Sequence, residues 1–535
     1  MKTLPLVVSL VLSFSMNAQA STKKPLAWQI KNTEWTKSID KSYEEFIAGI
    51  GKAKQAGVCN TVSECIKSPV ANPKYYNLNP ENLMDVYSDC ADLPYVFKAY
   101  FSWMNDLPFT FPVNMIAAPE ISAGAIPVVT KKWHFGKKAP DIRYNRYGNI
   151  IAEKRYIKNG DNINEVLVSV VEAISTATFR TDASLTSTDK LFRDTYPVTI
   201  SRASIKPGTV LYDPNGHVAV VFEVTPNGKV HLIDAHPDNS LTSITYGEKF
   251  TQTNVEIGGG FSNWRPFTAD GSIVATPNSQ LPDYGLEQFD RKKDFVVNGA
   301  TMDFHEYVRN KLSLGTLTYH PVEELTELMS ELCHDVKERG MSVALAINAG
   351  IAGQNHPDKL PANIYGTDGD WENFSTPSRD ARLKASIREG RALMTKMIQG
   401  EKTKNPAIVY EGLDIVSDLK ATYAESSTKC AVDVKKSNGQ IQSLTLDTVL
   451  KSIYKLSFDP YHCAELRWGM MDLESLKSCN SSKEKMEWYQ AEQGLRNLID
   501  RDYSAKMDYS LKELPTTPFA KLKDEQISIE DALSY

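Results

Sequence analysis

The segment from 207 to 236, PGTVLYDPNGHVAVVFEVTPNGKVHLIDAH, constrains the fold of this chain most strongly. It contains three apolar runs separated by Asp-Pro-Asn-Gly and Pro-Asn-Gly, and turns of this kind join antiparallel strands. The run after His217 is apolar on both faces, which predicts a buried central strand. Pairing with the returning strand would bring His217, at the start of one strand, close to Asp234, near the end of the other.

A histidine and a carboxylate in such a hairpin have two interpretations. They can form an oriented general base, or they can be ordinary turn and capping residues. The hairpin taken alone favours the second interpretation, because a histidine after glycine at a strand start is commonly a turn residue. The chemical interpretation requires a nucleophile, and Cys90 is the candidate.

The first twenty residues have the pattern of a secretory signal peptide. Lys2 is followed by an apolar stretch from Leu4 to Phe14 and by the small-residue site Ala18-Gln19-Ala20. We therefore expect cleavage near Ala20 and an exported protein, periplasmic or secreted. No later apolar run approaches the roughly 20 residues that a bilayer span requires. The net charge of −6 gives no indication of nucleic-acid binding.

The chain has seven cysteines, and disulfides persist in exported proteins. An odd number leaves at least one thiol unpaired or intermolecular. The spacing favours three bridges, although it does not fix the connectivity: Cys59–Cys65, Cys463–Cys479 and Cys333–Cys430. Cys90 is then the unpaired residue. The cysteines form no zinc-binding pattern, so we expect no structural metal, and the chemistry considered below requires no cofactor.

Cys90 lies in the sequence SDCADL, just before an amphipathic pattern. Ser88 and Asp89 are capping residue types and Pro94 suits an early helical position, which predicts Cys90 in the first turn of a helix. The positive end of the helix dipole would lower the pKa of the thiol below its usual value. The structural alternative is a small buried side chain, the commoner fate of a lone cysteine. The histidine–aspartate hairpin and the odd cysteine count favour the catalytic interpretation.

The character of the chain changes near residue 275. The segment from Ser272 to Gly285 is rich in Pro, Asn and Gly, and helical periodicity dominates after it. We therefore predict an α+β domain over residues 21–275, with N-terminal helices and an antiparallel sheet. Residues 282–535 are predicted to form a mostly helical domain. Its role stays open, with binding of a protein partner as one hypothesis.

Two motifs resemble those of known cell-wall hydrolases. Asp89-Cys90-Ala91-Asp92-Leu93 resembles the D-C-S-G-hydrophobic motif of NlpC-type peptidases. PGTVLY and GHVAVV resemble the P-G-D-I and G-H-V-A-I-V pair of the cysteine/histidine-dependent amidohydrolase/peptidase (CHAP) family. The resemblance implies a papain-like domain with a long insertion between the motifs, and it does not extend into the helical half.

The same resemblance implies a thiol amidohydrolase mechanism. Cys90 would attack an amide carbonyl while His217 takes its proton and later returns it to the leaving amine. Asp234 would orient the imidazole, with His236 as the alternative third residue, and the Cys90 N–H would stabilise the oxyanion. Export and family together imply peptide bonds of peptidoglycan as the substrate.

The chain also departs from the family pattern. Asp92 occupies the place of a small residue, so that both Asp89 and Asp92 lie near the predicted nucleophile. Asp234 and His236 stand where CHAP domains have Glu and Asn. Two alternatives therefore stay open: an inactive papain-like domain in an exported binding or scaffold protein, and transglutaminase-like acyl transfer, which uses the same order of Cys, His and Asp.

Overall fold

The computed structural model is mixed α and β, with antiparallel sheets and with helices towards both ends of the chain, as the sequence predicts. The predicted signal peptide, residues 1–20, lies outside the described residues. The structure describes residues 23–117, 142–144, 148–184, 193–237, 239–269, 273–290, 294–297, 299–367, 369–503 and 505–534.

The first part of the chain is built from helices and one hairpin. Thr36 caps the first helix by accepting a hydrogen bond from the Ile39 N–H, and the third helix is buried along its whole length. The two strands pair antiparallel. The elements are α1 (Lys37–Gln55), α2 (Val62–Lys67), α3 (Leu93–Met104), β1 (Thr110–Ala117), β2 (Asn149–Tyr156), α4 (Ile163–Ala173) and α5 (Thr176–Phe179).

An antiparallel six-stranded sheet follows in the described part of the chain. Its strands are β3 (Thr195–Pro197), β4 (Val210–Asp213), β5 (His217–Val224), β6 (Val230–Ala235), β7 (Leu241–Thr245) and β8 (Gly260–Trp264). Their spatial order is β3-β8-β4-β5-β6-β7, so β5 is an interior strand. Gly216 and Gly228 occupy the two predicted turns with φ of 83° and 80°, a region that glycine adopts without steric cost. The three predicted strands and the central position of β5 are confirmed.

Each face of the sheet is covered by a separate apolar core. Val218, Val220 and Phe222 of β5 join the core formed with α1 and α3. Helix α1 lies so close to the sheet that a Cβ atom at Gly51 would be 2.1 Å from the Phe222 ring. The alternate residues of β5 face the second core, and this alternation is the two-residue period of a strand buried on both sides.

The second core includes residues well beyond the predicted linker. Phe304, Val308 and Leu312 of the following helix pack on this face of the sheet, so the core that covers the sheet continues to Leu312. The elements of this stretch are β9 (Phe267–Ala269), β10 (Ile273–Ala275), β11 (Phe295–Val297), β12 (Ala300–Met302) and α6 (Phe304–Leu312).

The remainder of the described chain is mostly helical, with one hairpin, and has cores of its own. Its long helices α7 and α9 pack against each other, and α10 packs against α7. The elements are α7 (Pro321–Asn348), α8 (Gly369–Phe374), α9 (Pro377–Lys402), α10 (Ile415–Lys429), β13 (Ala431–Lys435), β14 (Ile441–Thr445), α11 (Leu446–Lys451), α12 (Ala464–Arg467), α13 (Leu473–Leu476), α14 (Lys483–Ala491), α15 (Gln493–Arg496) and α16 (Ile529–Ala532).

The cysteines are paired as the spacing favoured. Disulfides join Cys59 to Cys65, Cys333 to Cys430 and Cys463 to Cys479, and Cys90 is free. The preferred connectivity is therefore confirmed. Among the described helices, none combines the length and the apolar character that crossing a membrane would demand.

Candidate active site

Cys90 lies in the turn directly before α3, not within the first turn of the helix. The helix begins at Leu93 and its N-cap is Asp92, so the prediction that Ser88 and Asp89 cap the helix is wrong. Side-chain hydrogen bonds explain the later start. Asp92 Oδ1 accepts from Ser88 Oγ at 2.6 Å and from the Asp89 N–H at 2.9 Å, while Asp89 Oδ1 accepts from the Ala91 N–H. These bonds form a closed turn around Cys90.

The hairpin brings His217 and Asp234 together as strand pairing predicts. His217 Nε2 lies 2.6 Å from Asp234 Oδ2, and both side chains are buried. Since the carboxylate accepts, Nε2 carries the hydrogen in neutral His217, and Nδ1 keeps its lone pair. His217 can therefore act as a base through the nitrogen that faces away from Asp234.

The second oxygen of Asp234 is held by Thr242, which stands directly opposite it on β7. The Thr242 hydroxyl donates to Asp234 Oδ1, so it accepts from His236 Nε2 at 3.2 Å. His236 Nε2 is 3.8 Å from Asp234, and its ring centre is 6.2 Å from that of His217. Asp234 therefore makes the direct contact with His217, whereas His236 is linked to Asp234 through the Thr242 hydroxyl. No sequence pattern indicated Thr242, because its place depends on the register of β6 and β7.

Burial and neighbouring charges set the protonation of this pair. Burial alone would raise the pKa of Asp234, but the charge of His236 and the hydrogen bond from His217 hold it below the usual range. Burial lowers the pKa of His217, although the hydrogen bond with Asp234 acts in the opposite direction. At neutral pH the site therefore contains an ionised Asp234 and a neutral His217.

The surroundings of Cys90 oppose its ionisation. Burial raises the pKa of the thiol, the charge of Asp89 raises it further, and a hydrogen bond from the Val218 N–H only partly offsets these effects. The prediction of a lowered pKa is therefore wrong for this arrangement. Within the described chain, Cys90 and His217 make no direct hydrogen bond, but both line one cavity. The resting pair is a neutral thiol and a neutral imidazole.

This cavity has a volume of about 180 Å³ and two walls of different origin. The sheet-bearing part of the chain contributes Cys90, His217 and His236. The helical part contributes residues that no motif singled out, because only tertiary packing brings them here. They include Tyr365, Trp371, Arg379, Arg382, Arg501 and Tyr503.

Among the residues that the structure describes, two groups of side chains have ligand atoms close enough to hold a metal ion. In the first, around Glu465, both sulfur atoms are joined in the disulfide between Cys463 and Cys479 and cannot act as thiolates. In the second, which also includes Glu492, His356 Nε2 lies 2.8 Å from Asp459 Oδ2, a hydrogen-bond distance. All of its members are buried in the helical core, so we interpret it as a structural polar network.

We compared the chain with models of protein families, with curated proteins and with solved structures, and none of the three comparisons gave a match. The functional assignment therefore depends on Cys90, His217 and Asp234 themselves. His217 and Asp234 are joined by a hydrogen bond, and Cys90 and His217 line one cavity.

Proposed function

We propose that this protein is an exported thiol amidohydrolase or peptidase with Cys90 as nucleophile, His217 as general base and Asp234 as the residue that orients the imidazole. One observation carries the proposal. The hydrogen bond of 2.6 Å between His217 and Asp234 fixes the ring while an unpaired, half-buried cysteine lines the same cavity. A nucleophile, a base and an orienting carboxylate are the groups that acyl transfer to a thiol requires.

In the proposed reaction, Cys90 Sγ attacks the amide carbonyl as His217 Nδ1 takes the thiol proton. The Asp234 carboxylate stabilises the imidazolium that forms, and His217 then protonates the leaving amine. Water, deprotonated by His217, hydrolyses the thioester and releases the acid. The Cys90 N–H is available to the oxyanion, because it donates no hydrogen bond within the described part of the chain.

A papain-like arrangement and a peptidoglycan substrate complete the proposal. The papain-like assignment is supported by the order of a cysteine before a buried helix, a histidine opening an interior strand and a carboxylate on the next strand. Three disulfides are compatible with the predicted export. Peptidoglycan is the amide-rich polymer that an exported bacterial enzyme of this class would meet.

The test is mass spectrometry of purified peptidoglycan fragments after incubation with the mature protein and with a Cys90→Ala variant. New fragments heavier by one water in total, formed only when Cys90 is present, would support hydrolysis, and their masses identify the bond. Fragments carrying an added amine would assign acyl transfer instead. Equal products from the two proteins would exclude Cys90 as the nucleophile.

A second candidate is an exported binding protein whose papain-like domain is inactive. The raised pKa of Cys90 favours it, because little thiolate is present at neutral pH. Alkylation separates the two candidates. A catalytic Cys90 reacts with iodoacetamide in the folded protein and stops reacting in a His217→Asn variant, whereas an inert Cys90 reacts only after unfolding in both.

A further inference from the structure

The part of the cavity wall that the helical region contributes is rich in arginine. Arg379 and Arg382 belong to α9, and Arg501 follows α15. The N-terminus of α9 also borders the cavity, where its N-cap, Thr376, makes no side-chain capping hydrogen bond. The helix dipole adds positive potential at this end. The helical part of the chain therefore presents a cationic surface to the proposed nucleophile.

Two of these arginines lack a carboxylate partner. Within the described residues, neither Arg379 nor Arg382 forms an ion pair, and Arg379 instead donates to the Ser342 hydroxyl. Another arginine on the cavity, Arg143, is paired with Glu372 at 3.2 Å. The ion pairs of the cavity wall therefore do not include Arg379 or Arg382.

Two buried polar atoms on the same cavity have no hydrogen-bond partner among the described residues. The Arg501 side chain is only 4% exposed and pairs with Asp213 through Nη2, yet its Nη1 has no hydrogen-bond partner. Thr176 on the facing wall is 6% exposed, and its Oγ1 also lacks a partner. Both atoms can donate a hydrogen bond to a polar group bound in the cavity.

Clustering these cations costs stability, since like charges repel in a partly buried site. Burial, and then Arg501, lowers the pKa of Arg382, and Asp234 acts in the opposite direction. A bound anion would remove the repulsion. The planar guanidinium group suits a carboxylate in particular, because it can donate two parallel hydrogen bonds to its oxygens.

We propose that Arg379 and Arg382, supported by Arg501, bind a carboxylate of the substrate next to the amide that Cys90 attacks. This inference rests on the proposed function and defines its substrate class: an acidic peptide, or the end of a peptide with a free carboxylate. The cavity, at about 180 Å³, is smaller than the roughly 300–1,000 Å³ of sites for drug-sized ligands. Its size suits the end of a peptide better than the middle of a long chain.

Binding can be tested without turnover in the full mature chain carrying Cys90→Ala. The probes are N-acetylalanine and its neutral amide, and the readout is the shift in melting temperature with concentration. We expect stabilisation by the acid only, with an affinity about tenfold or more weaker in Arg379→Gln and Arg382→Gln. Arg391→Gln, on the same helix but away from the cavity, is the matched control and should bind normally.

Three results would overturn the carboxylate site: equal stabilisation by the acid and the amide, no stabilisation by the acid, or an unchanged affinity in both arginine variants. Inorganic phosphate is a further probe. If it stabilises the protein through Arg382 and the acid does not, the site binds phosphate and the carboxylate assignment is wrong.

Alkylation of Cys90 provides a second readout and separates this inference from the proposed function. Anionic iodoacetate and neutral iodoacetamide both transfer their carbon to the thiolate and release iodide. Relative to the unfolded chain, folded protein should favour iodoacetate, and Arg382→Gln should abolish the preference. Equal reaction with both reagents counts against the carboxylate site alone. Failure of Cys90 to react with either counts against the proposed function, and the melting-temperature experiment then decides on the carboxylate site.

Discussion

His217 Nε2 lies 2.6 Å from Asp234 Oδ2, and Thr242 holds the other oxygen of the same carboxylate. The ring of His217 is therefore fixed by a residue on the neighbouring strand β6, which is itself fixed by β7. This chain of contacts leaves Nδ1 of His217 as the nitrogen that would exchange a proton with Cys90 in the proposed reaction.

Replacing Asp234 by Asn should abolish most of the activity while preserving the fold. The amide can still accept from Thr242, but it carries no charge to stabilise imidazolium. We expect the rate of fragment release from peptidoglycan to fall by about 10²–10⁴-fold. Thr242→Ser keeps the hydroxyl group and is the control, with activity close to that of the unchanged protein. An Asp234→Asn protein of full activity would exclude the proposed role of this carboxylate.

Asp89→Asn should make Cys90 more reactive. Burial and then the charge of Asp89 raise the pKa of Cys90, so removal of that charge increases the thiolate fraction at a given pH. We expect alkylation at pH 8 to accelerate by roughly threefold to tenfold, since one pKa unit corresponds to a tenfold change in thiolate. In the unchanged protein the rate should keep rising above pH 9. Asp85→Asn, on the exposed surface nearby, should leave the rate unaltered.

Local sequence rules predicted the parts of the site that local structure determines. The turn glycines Gly216 and Gly228 and the period of the strands define the hairpin, and the hairpin places His217 beside Asp234. Two of the three disulfides, Cys59–Cys65 and Cys463–Cys479, follow the same logic because each closes a short loop. In each case the interacting residues lie within 17 positions of each other in the sequence.

Long-range packing determines what the sequence did not predict. Thr242 lies opposite Asp234 through the register of two strands, and Arg382 of α9 lines the same cavity as His217 at the start of β5. The predicted start of α3 was wrong for a different reason. Ser88 and Asp89 are residue types that cap helices. Here both donate hydrogen bonds to the Asp92 carboxylate, and the helix begins only after Asp92. Composition alone does not distinguish these two arrangements.

A buried polar network between β2, α3 and Asp194 gives a prediction about stability. Asp194 forms an ion pair with Lys154 of β2 and accepts from the Tyr95 hydroxyl of α3 at 2.9 Å, and all three side chains are buried. Asp194→Ala removes the carboxylate that forms the ion pair with the buried Lys154. We expect the free energy of unfolding in urea to fall by about 3–5 kcal/mol. Asp85→Ala removes an exposed partner of Lys67 and should change it little. Equal decreases in the free energy of unfolding in the two variants would show that the buried ion pair stabilises the protein no more than the exposed one.

A buried histidine in the helical core should make the protein sensitive to acid. His462 is fully buried, accepts from the Ser457 hydroxyl at Nδ1 and donates from Nε2 to the Lys485 carbonyl. This pattern fixes the neutral form of the ring. Burial lowers the pKa of His462 to about 4, although Asp459 acts in the opposite direction.

The folded state therefore binds fewer protons at His462 than the unfolded state does between pH 6.5 and pH 4. The contribution of His462 to the free energy of unfolding is fully present above pH 6.5 and is lost as the pH falls towards 4. Between pH 6.5 and pH 5 this residue alone lowers the free energy of unfolding by about 2 kcal/mol. Urea unfolding at pH 7 and pH 5 measures the loss. His462→Gln should be less stable at pH 7 but should lose less on acidification, because it removes the group that must stay neutral. An exposed control, His320→Gln, should keep the full pH dependence, and an unchanged slope in His462→Gln would assign the acid sensitivity to other groups.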